Sequence, residues 1–329
     1  MKIKRITALL LVCAFAVLSL LSCNGDTQQT DESQTIYHTA TFNFSNGDAP
    51  YSVSVADGEL VSPPIPPERE NYIFNGWKKN GTAWDFSSSG VFADVDFVAQ
   101  WIDASTLFGY SANGDGTITV TEYKGALDEI RIPEIISGMK VTALGEKVFI
   151  GFADNNSTLI SLPETLTSIG NSAFEGCSEL KISVLGKISS LGERAFDGCV
   201  LLSDVSLDDS LESIPFRAFA GCTSLKSFYV PKNVKTIGED AFDGCSSVQT
   251  LIIASKDVVI EDSAFSDCDA LVTVFFEGDE SEWQSILANV DNGGDGNSDL
   301  LDAKVYFFSE TEKEGDFWYY NEKGEPRCW

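Results

Sequence analysis

The chain has 329 residues, with 50 acidic and 22 basic side chains, one histidine, eight cysteines and a formal net charge of −28. That charge repels phosphate backbones, and the only basic cluster, Lys2, Lys4 and Arg5, sits at the extreme N-terminus, which argues against nucleic acid as a partner. Histidine triads and histidine-rich metal sites have only His38 to draw on, in a low-complexity stretch, whereas 43% hydrophobic residues with 22 Phe suffice to fill cores.

Residues 1–22 follow a secretory pattern: the basic run Met1 to Arg5, the apolar stretch Ile6 to Leu21, then Ser22 before Cys23. Leu20-Leu21-Ser22-Cys23 resembles the lipobox of bacterial lipoproteins, which implies that Cys23 is acylated and becomes the mature N-terminus. A plain signal peptide and a single transmembrane anchor are the competing readings, although the apolar stretch is short for a span. Loss of the three basic leader residues takes the net charge from −28 to about −31. Residues 23–35 carry no apolar period and read as a solvated tether.

Residues 36–103 read as a small β module. Strands are expected at Thr39–Phe44, Tyr51–Val55, Tyr72–Trp77, Trp84–Phe86 and Val95–Trp101, with turns at Asn46-Gly47-Asp48 and Asp57-Gly58 and an extended crossover through Pro63 to Pro67. In so small a domain, Trp77, Trp84 and Trp101 are expected in the core rather than on a ligand platform. Tyr72 to Trp77 and Ala99-Gln100-Trp101 resemble the signature of the Listeria-Bacteroides type repeat (InlB B-repeat), which implies a β-grasp-like fold and a spacer or interaction role.

Residues 104–280 are organised by a repeat. Ala173-Phe174-Glu175-Gly176-Cys177 recurs at Ala195 to Cys199, Ala218 to Cys222, Ala241 to Cys245 and Ala264 to Cys268, with cysteines 22 or 23 residues apart. Val148 to Phe152 is a degenerate first copy. Within one unit Phe228 to Val230 alternates like a strand, and the later apolar spacing of three and four suits turns or a short helical piece. One coil cannot bury these residues alone, so the coils must stack. The expected fold is a repeat solenoid, right-handed, with a parallel β-sheet along one face. The unit resembles the BspA-like, or treponemal-type, leucine-rich repeat, and residues 109–142 resemble that family's opening segment. Irregular loops are expected near Ser183 and Leu185 and at Asp208 and Ala254, where the pattern breaks.

The five repeat cysteines form one ladder. Stacked strands lie about 4.8 Å apart, too far for an unstrained disulfide, whose Cβ atoms want about 3.8 Å, so the thiols are read as small buried side chains. Cys13 leaves with the leader, and Cys328 is unexplained. Residues 281–329 read as a capping segment, and Glu280 to Val290, with Trp283, Ile286, Leu287 and Val290 at helical spacing, is expected to be a helix that covers the last coil. Asp291 to Asp302 is a weak match to a calcium loop, since Gly293 supplies no ligand and Asp302 is shorter than the usual Glu, and reads better as a flexible acidic loop.

Counting seven residues from each repeat cysteine gives an outward row of Ser206, Tyr229, Ile252 and Phe275. Counting five gives Asp204, Ser227, Thr250 and Thr273. This face is the candidate binding surface, with strand propensity or cover from the C-terminal segment as competing explanations. No acid pair stands out for catalysis, and no cofactor or metal is expected. The BspA-like resemblance implies a lipid-anchored bacterial cell-surface protein, outer-membrane and exposed, that binds host or extracellular-matrix proteins or other cell-surface proteins. The alternative is an envelope scaffold lipoprotein facing the periplasm that binds envelope components or glycans.

Overall fold

The structure, a computed structural model, describes residues 35–65, 68–127, 129–150, 152, 159–182, 187–290 and 295–329. The leader, Cys23 and most of the tether lie outside them.

Five strands, β1 (Tyr37–Asn43), β2 (Tyr51–Ala56), β3 (Tyr72–Lys79), β4 (Thr82–Ala83) and β5 (Val95–Asp103), form one sheet in the order β2-β1-β5-β3-β4. β1 runs antiparallel to β2 and parallel to β5. The period of two puts Ala40 and Phe42, and Val95, Phe97 and Ala99, on one buried face. There Phe42 meets Phe97 at 4.9 Å and Trp77 at 5.0 Å between ring centroids. Trp77 is buried, and Trp84 and Trp101 are half-buried against the same cluster. The strand expected at Tyr72–Trp77 is present with one irregularity, and the one expected at Trp84–Phe86 is not. Gly76 is a bulge inside β3, where the register shifts between Phe74 and Trp77 and the backbone takes φ +86°. Trp84 to Phe86 is a loop, because the Asp85 carboxylate accepts from the Ser87 N–H and from the hydroxyls of Ser87 and Ser88. His38 lies in β1, with Nε2 2.8 Å from Asp57 Oδ1, rather than in a low-complexity stretch.

A single helical turn, α1 (Ala104–Leu107), leads into the hairpin β6 (Phe108–Ala112) and β7 (Thr117–Tyr123). Then come β8 (Glu129–Arg131), β9 (Ile135–Ile136) and β10 (Met139–Leu144). Asn71 ties the module to these first elements: its carbonyl accepts from Ala104 N–H at 2.9 Å, and its Oδ1 from Gly138 N–H at 3.0 Å. Ile73 of β3 is buried in the solenoid's own core.

Each following coil adds short strands to two sheets. The strands are β11 (Leu159–Ser161), β12 (Ser168–Ile169), β13 (Lys181–Ile182), β14 (Ser190–Leu191), β15 (Ser213–Ile214), β16 (Ser227–Val230), β17 (Thr236–Ile237), β18 (Thr250–Ile253), β19 (Val259–Ile260) and β20 (Thr273–Phe276). One side carries β8-β11-β13 and, further on, β16-β18-β20. The other carries β6-β7-β10-β12-β14 and then β15-β17-β19. Pairing between successive coils is parallel throughout. Among the described residues the front sheet breaks between β13 and β16, where the link is the single bridge Ile188 to Leu207; Ser183 and Leu185 lie outside the described residues. This is the zone in which the repeat departs from its pattern.

The third corner explains the Ala-Phe-x-Gly-Cys motif. Phe149, Phe174, Phe196, Phe219, Phe242 and Phe265 stack with centroids 5.2–5.5 Å apart and planes within 13°. Each Phe N–H from Phe149 to Phe242 donates to the alanine carbonyl of the next coil at 2.8–2.9 Å. The cysteines are buried, form no disulfide, and donate Sγ–H backward: Cys177 to Phe149 O, Cys199 to Phe174 O, Cys222 to Phe196 O, Cys245 to Phe219 O and Cys268 to Phe242 O, at 2.9–3.3 Å. The ladder is therefore a row of weak hydrogen bonds as well as a row of packed sulfurs. Outside this corner, Arg217 Nε lies 2.9 Å from Asp197, and its Nη1 lies 3.1 Å from Asp240 and 3.3 Å from Asp243, linking three coils.

The C-terminal segment closes the array. α2 (Glu280–Leu287) starts at a capping box in which Asp279 accepts from Glu282 N–H and the Glu282 carboxylate accepts from Asp279 N–H. It buries Trp283 and Ile286, and Val290 is buried just beyond it. A 3-10 turn (Asp295–Asn297) and α3 (Ser298–Asp302) follow, so these residues are ordered helical turns rather than a flexible loop. Residues 291–294 of the calcium-like segment lie outside the described residues. β21 (Lys304–Phe308), β22 (Phe317–Tyr320) and β23 (Pro326–Cys328) then extend the front sheet in the order β16-β18-β20-β21-β22-β23.

Candidate functional site

The front sheet presents its rows because each strand alternates between core and exterior. Phe228, Val230, Leu251, Ile253, Val274 and Phe276 point inward and are buried. The residues between them face out in strict register: Ser227 pairs with Thr250, Thr273 and then Lys304, and Tyr229 with Ile252, Phe275 and then Tyr306. The row read from the sequence therefore continues onto β21, which the repeat period could not reveal. Tyr229, Ile252, Phe275, Thr250 and Thr273 are half-buried, and Ser227 is exposed. Ser206 and Asp204 are exposed but lie in the gap before β16, outside the hydrogen-bonded ladder.

The C-terminal hairpin narrows this row. The Trp318 indole is fully buried; its ring lies 5.2 Å from Phe275 and 5.3 Å from Phe308, and its Nε1–H donates to Phe276 O at 3.0 Å. Phe275 is also 5.6 Å from Tyr306. Phe275 is thus largely the bed for Trp318, while Tyr229 and Ile252 carry the open part of the row. Beside them, Tyr320 packs on Trp318 at 4.7 Å and donates its hydroxyl to Glu277 Oε1 at 2.5 Å. Lys232 Nζ sits 2.8 Å from Asp209. Burial, then the charges of Glu277 and Asp209, push the Tyr229 phenol up to about 12. Burial and the Glu277 carboxylate raise Tyr320 as well. Both phenols are neutral hydrogen-bond donors at physiological pH.

A second concavity, of about 170 Å³, lies between the module and the first coils. Tyr72, Phe74 and Trp101 line one side, Ile132, Pro133 and Ile135 the other, and the Arg69 guanidinium lies 4.0 Å over the Tyr72 ring. Among the described residues, no group of three or more His, Cys, Asp or Glu side chains is placed to hold a metal ion. Among the same residues, no helix is long and apolar enough to cross a membrane.

Comparison with known proteins agrees with this geometry. Residues 142–272 match the BspA type leucine rich repeat region in six copies, and residues 38–100 match the Listeria-Bacteroides repeat domain. Internalin H of Listeria monocytogenes is 34% identical over 82 residues, 24% of this chain and 15% of that protein. A putative Gly-rich membrane protein of Evansella cellulosilytica is 26% identical over 121 residues, 33% of this chain and 14% of that protein. The chain thus spans only about a seventh of the length of these relatives. Among solved structures, a leucine rich cell surface protein from Faecalibacterium prausnitzii aligns over 68% of this chain and 59% of its own, with a TM-score of 0.51 at 24% identity. The leucine-rich repeat protein of T. pallidum aligns over 57% of this chain and 96% of its own, with a TM-score of 0.48 at 25% identity. The chain thus carries a BspA type leucine rich repeat region over residues 142–272, preceded by a Listeria-Bacteroides repeat domain over residues 38–100.

Proposed function

We propose that this chain is a bacterial cell-surface binding protein, held to the membrane by lipid at Cys23, that engages host, matrix or neighbouring-cell proteins through the front sheet of its solenoid. The observation that carries the reading is the outward row Tyr229, Ile252, Phe275, three large side chains in register on consecutive strands, of which Tyr229 and Ile252 carry the open part. A row of this kind offers apolar area at the centre of a contact, with the polar Ser227, Thr250 and Thr273 row as its rim. The tether of residues 23–35 would hold the array off the bilayer, and the module would act as a spacer. The absence of a catalytic constellation from the sequence fits binding rather than turnover.

The test is to replace Tyr229 and Ile252 together by Ser, leaving Phe275 under Trp318, and to measure adsorption to surfaces coated with extracellular-matrix proteins. Loss of adsorption with an unchanged unfolding midpoint supports the reading. Unchanged adsorption sinks it. Protease shaving of intact cells decides orientation: a surface protein is digested, and one facing the periplasm is protected.

A further inference from the structure

We infer that the cluster of Tyr229, Ile252, Glu277, Tyr320 and Asp209 is a docking point for a lysine or arginine side chain projecting from a basic segment of the partner protein. This rests on the front sheet being the binding surface and adds the chemistry of what it binds. Three features of the face lead to it.

The first is placement. Tyr229 and Ile252 are neighbours across β16 and β18, Glu277 follows directly on β20, and the Tyr320 hydroxyl reaches back from β22 to the Glu277 carboxylate. Two phenols and two carboxylates are therefore gathered beside Ile252, from the coils that follow Cys199, Cys222, Cys245 and Cys268 and from a segment outside the repeat.

The second is charge. The surrounding groups are Glu277, Asp209 and Lys232, and Lys232 is already paired with Asp209 at 2.8 Å. Glu277 has a phenol donor but no cation within ion-pair distance among the described residues. Its charge is felt at Tyr229, Tyr320 and Lys232. One more positive group is what this patch accommodates.

The third is the chemistry of that group. A lysine or arginine stem lies along apolar surface while its head meets an aromatic face and a carboxylate, and Ile252, Tyr229 and Glu277 offer those surfaces side by side. An acidic or phosphorylated partner segment would meet repulsion from Glu277 and from a chain of net charge −28.

The experiment uses the full mature chain and a synthetic peptide of repeating Lys-Leu-Gly triplets, with the same peptide fully acetylated at lysine as the uncharged arm, titrated calorimetrically at physiological salt. Glu277→Gln keeps an acceptor for Tyr320 and removes the charge. It is expected to weaken peptide binding by about tenfold or more, as is usual for a charge-assisted contact. The exposed Glu179, two residues after the Cys177 of an earlier coil, supplies the charge-matched control Glu179→Gln, expected to bind as the parent does. The acetylated peptide is expected to bind weakly to every variant. If Glu277→Gln binds normally while Tyr229→Ser/Ile252→Ser loses adsorption to matrix proteins, the front-sheet reading stands and the basic docking point is wrong. If Glu179→Gln weakens binding as much as Glu277→Gln, the attraction is only that of an acidic chain for a cation and the inference falls.

Discussion

Asn297 Oδ1 accepts the backbone N–H of Phe265 at 3.0 Å, the place that the alanine carbonyl of the next coil takes at the earlier steps of the ladder. The same side chain donates Nδ2–H to Glu261 O at 3.0 Å. One buried asparagine thus stands in for a missing coil, satisfying two backbone groups that the end of a solenoid leaves open.

Asn297→Leu is expected to destabilise the protein by about 2–3 kcal/mol, since it leaves the buried Phe265 N–H and the part-buried Glu261 carbonyl without their side-chain partner. Asn297→Asp keeps the acceptor and is expected to lie between the two. Urea unfolding measures the loss, and amide exchange at Phe265 localises it.

Asp267 breaks the motif in the opposite sense. Gly176, Gly198, Gly221 and Gly244 take φ of 68–76° at the residue before the cysteine, and Asp267 holds the same left-handed backbone at φ 52°. Asp267→Gly is therefore expected to stabilise by about 0.5–1 kcal/mol, and Gly221→Ala to cost about 1 kcal/mol. Thermal unfolding midpoints should move in those two directions.

The thiols should divide by burial. Burial pushes Cys245 up to about 12 and raises Cys199, Cys222 and Cys268 too, so their thiolates are vanishingly rare at neutral pH. Cys328 is exposed. In native protein lacking the leader and carrying a Cys23→Ser change, a thiol reagent should label Cys328 alone, and denaturant should release the ladder. Ready native labelling of the ladder would mean that the coils open freely.

Much of this architecture was legible in the sequence because every coil must bury the same positions. The recurrence of Ala, Phe and Cys gave the stack, and the alternation at 228–230 gave the strand and its outward row. The closing devices were less legible, because they depend on how segments without a period dock. Asn297 sits in an acidic stretch that looks like a loop, and nothing in Phe317-Trp318-Tyr319-Tyr320 says that Trp318 turns onto Phe275. The capping box did have a readable signal, Asp279 three residues before Glu282. So did the loop at Trp84, where the spacing of Asp85, Ser87 and Ser88 announces a turn that outweighs the β propensity of the aromatics.

The Tyr229 phenol offers a pH test of the front sheet's electrostatics. Its folded value, about 12, lies above the ordinary tyrosine value of 10.0, so its contribution to stability is whole below about pH 10 and is lost as pH rises through 12. Ultraviolet difference titration should show a late tyrosinate step that Tyr229→Phe removes and that Glu277→Gln moves to lower pH. A step unmoved by Glu277→Gln would separate the two groups electrically.

The central claim, that partners dock on the front sheet, is tested most directly by side-chain footprinting of the mature chain with and without bound matrix protein. The account predicts protection of Tyr229, Ile252 and Tyr320, with the exposed Phe92 of the N-terminal module labelled equally in both states. Protection confined to that module, with Tyr229 and Ile252 still labelled in the complex, would contradict it.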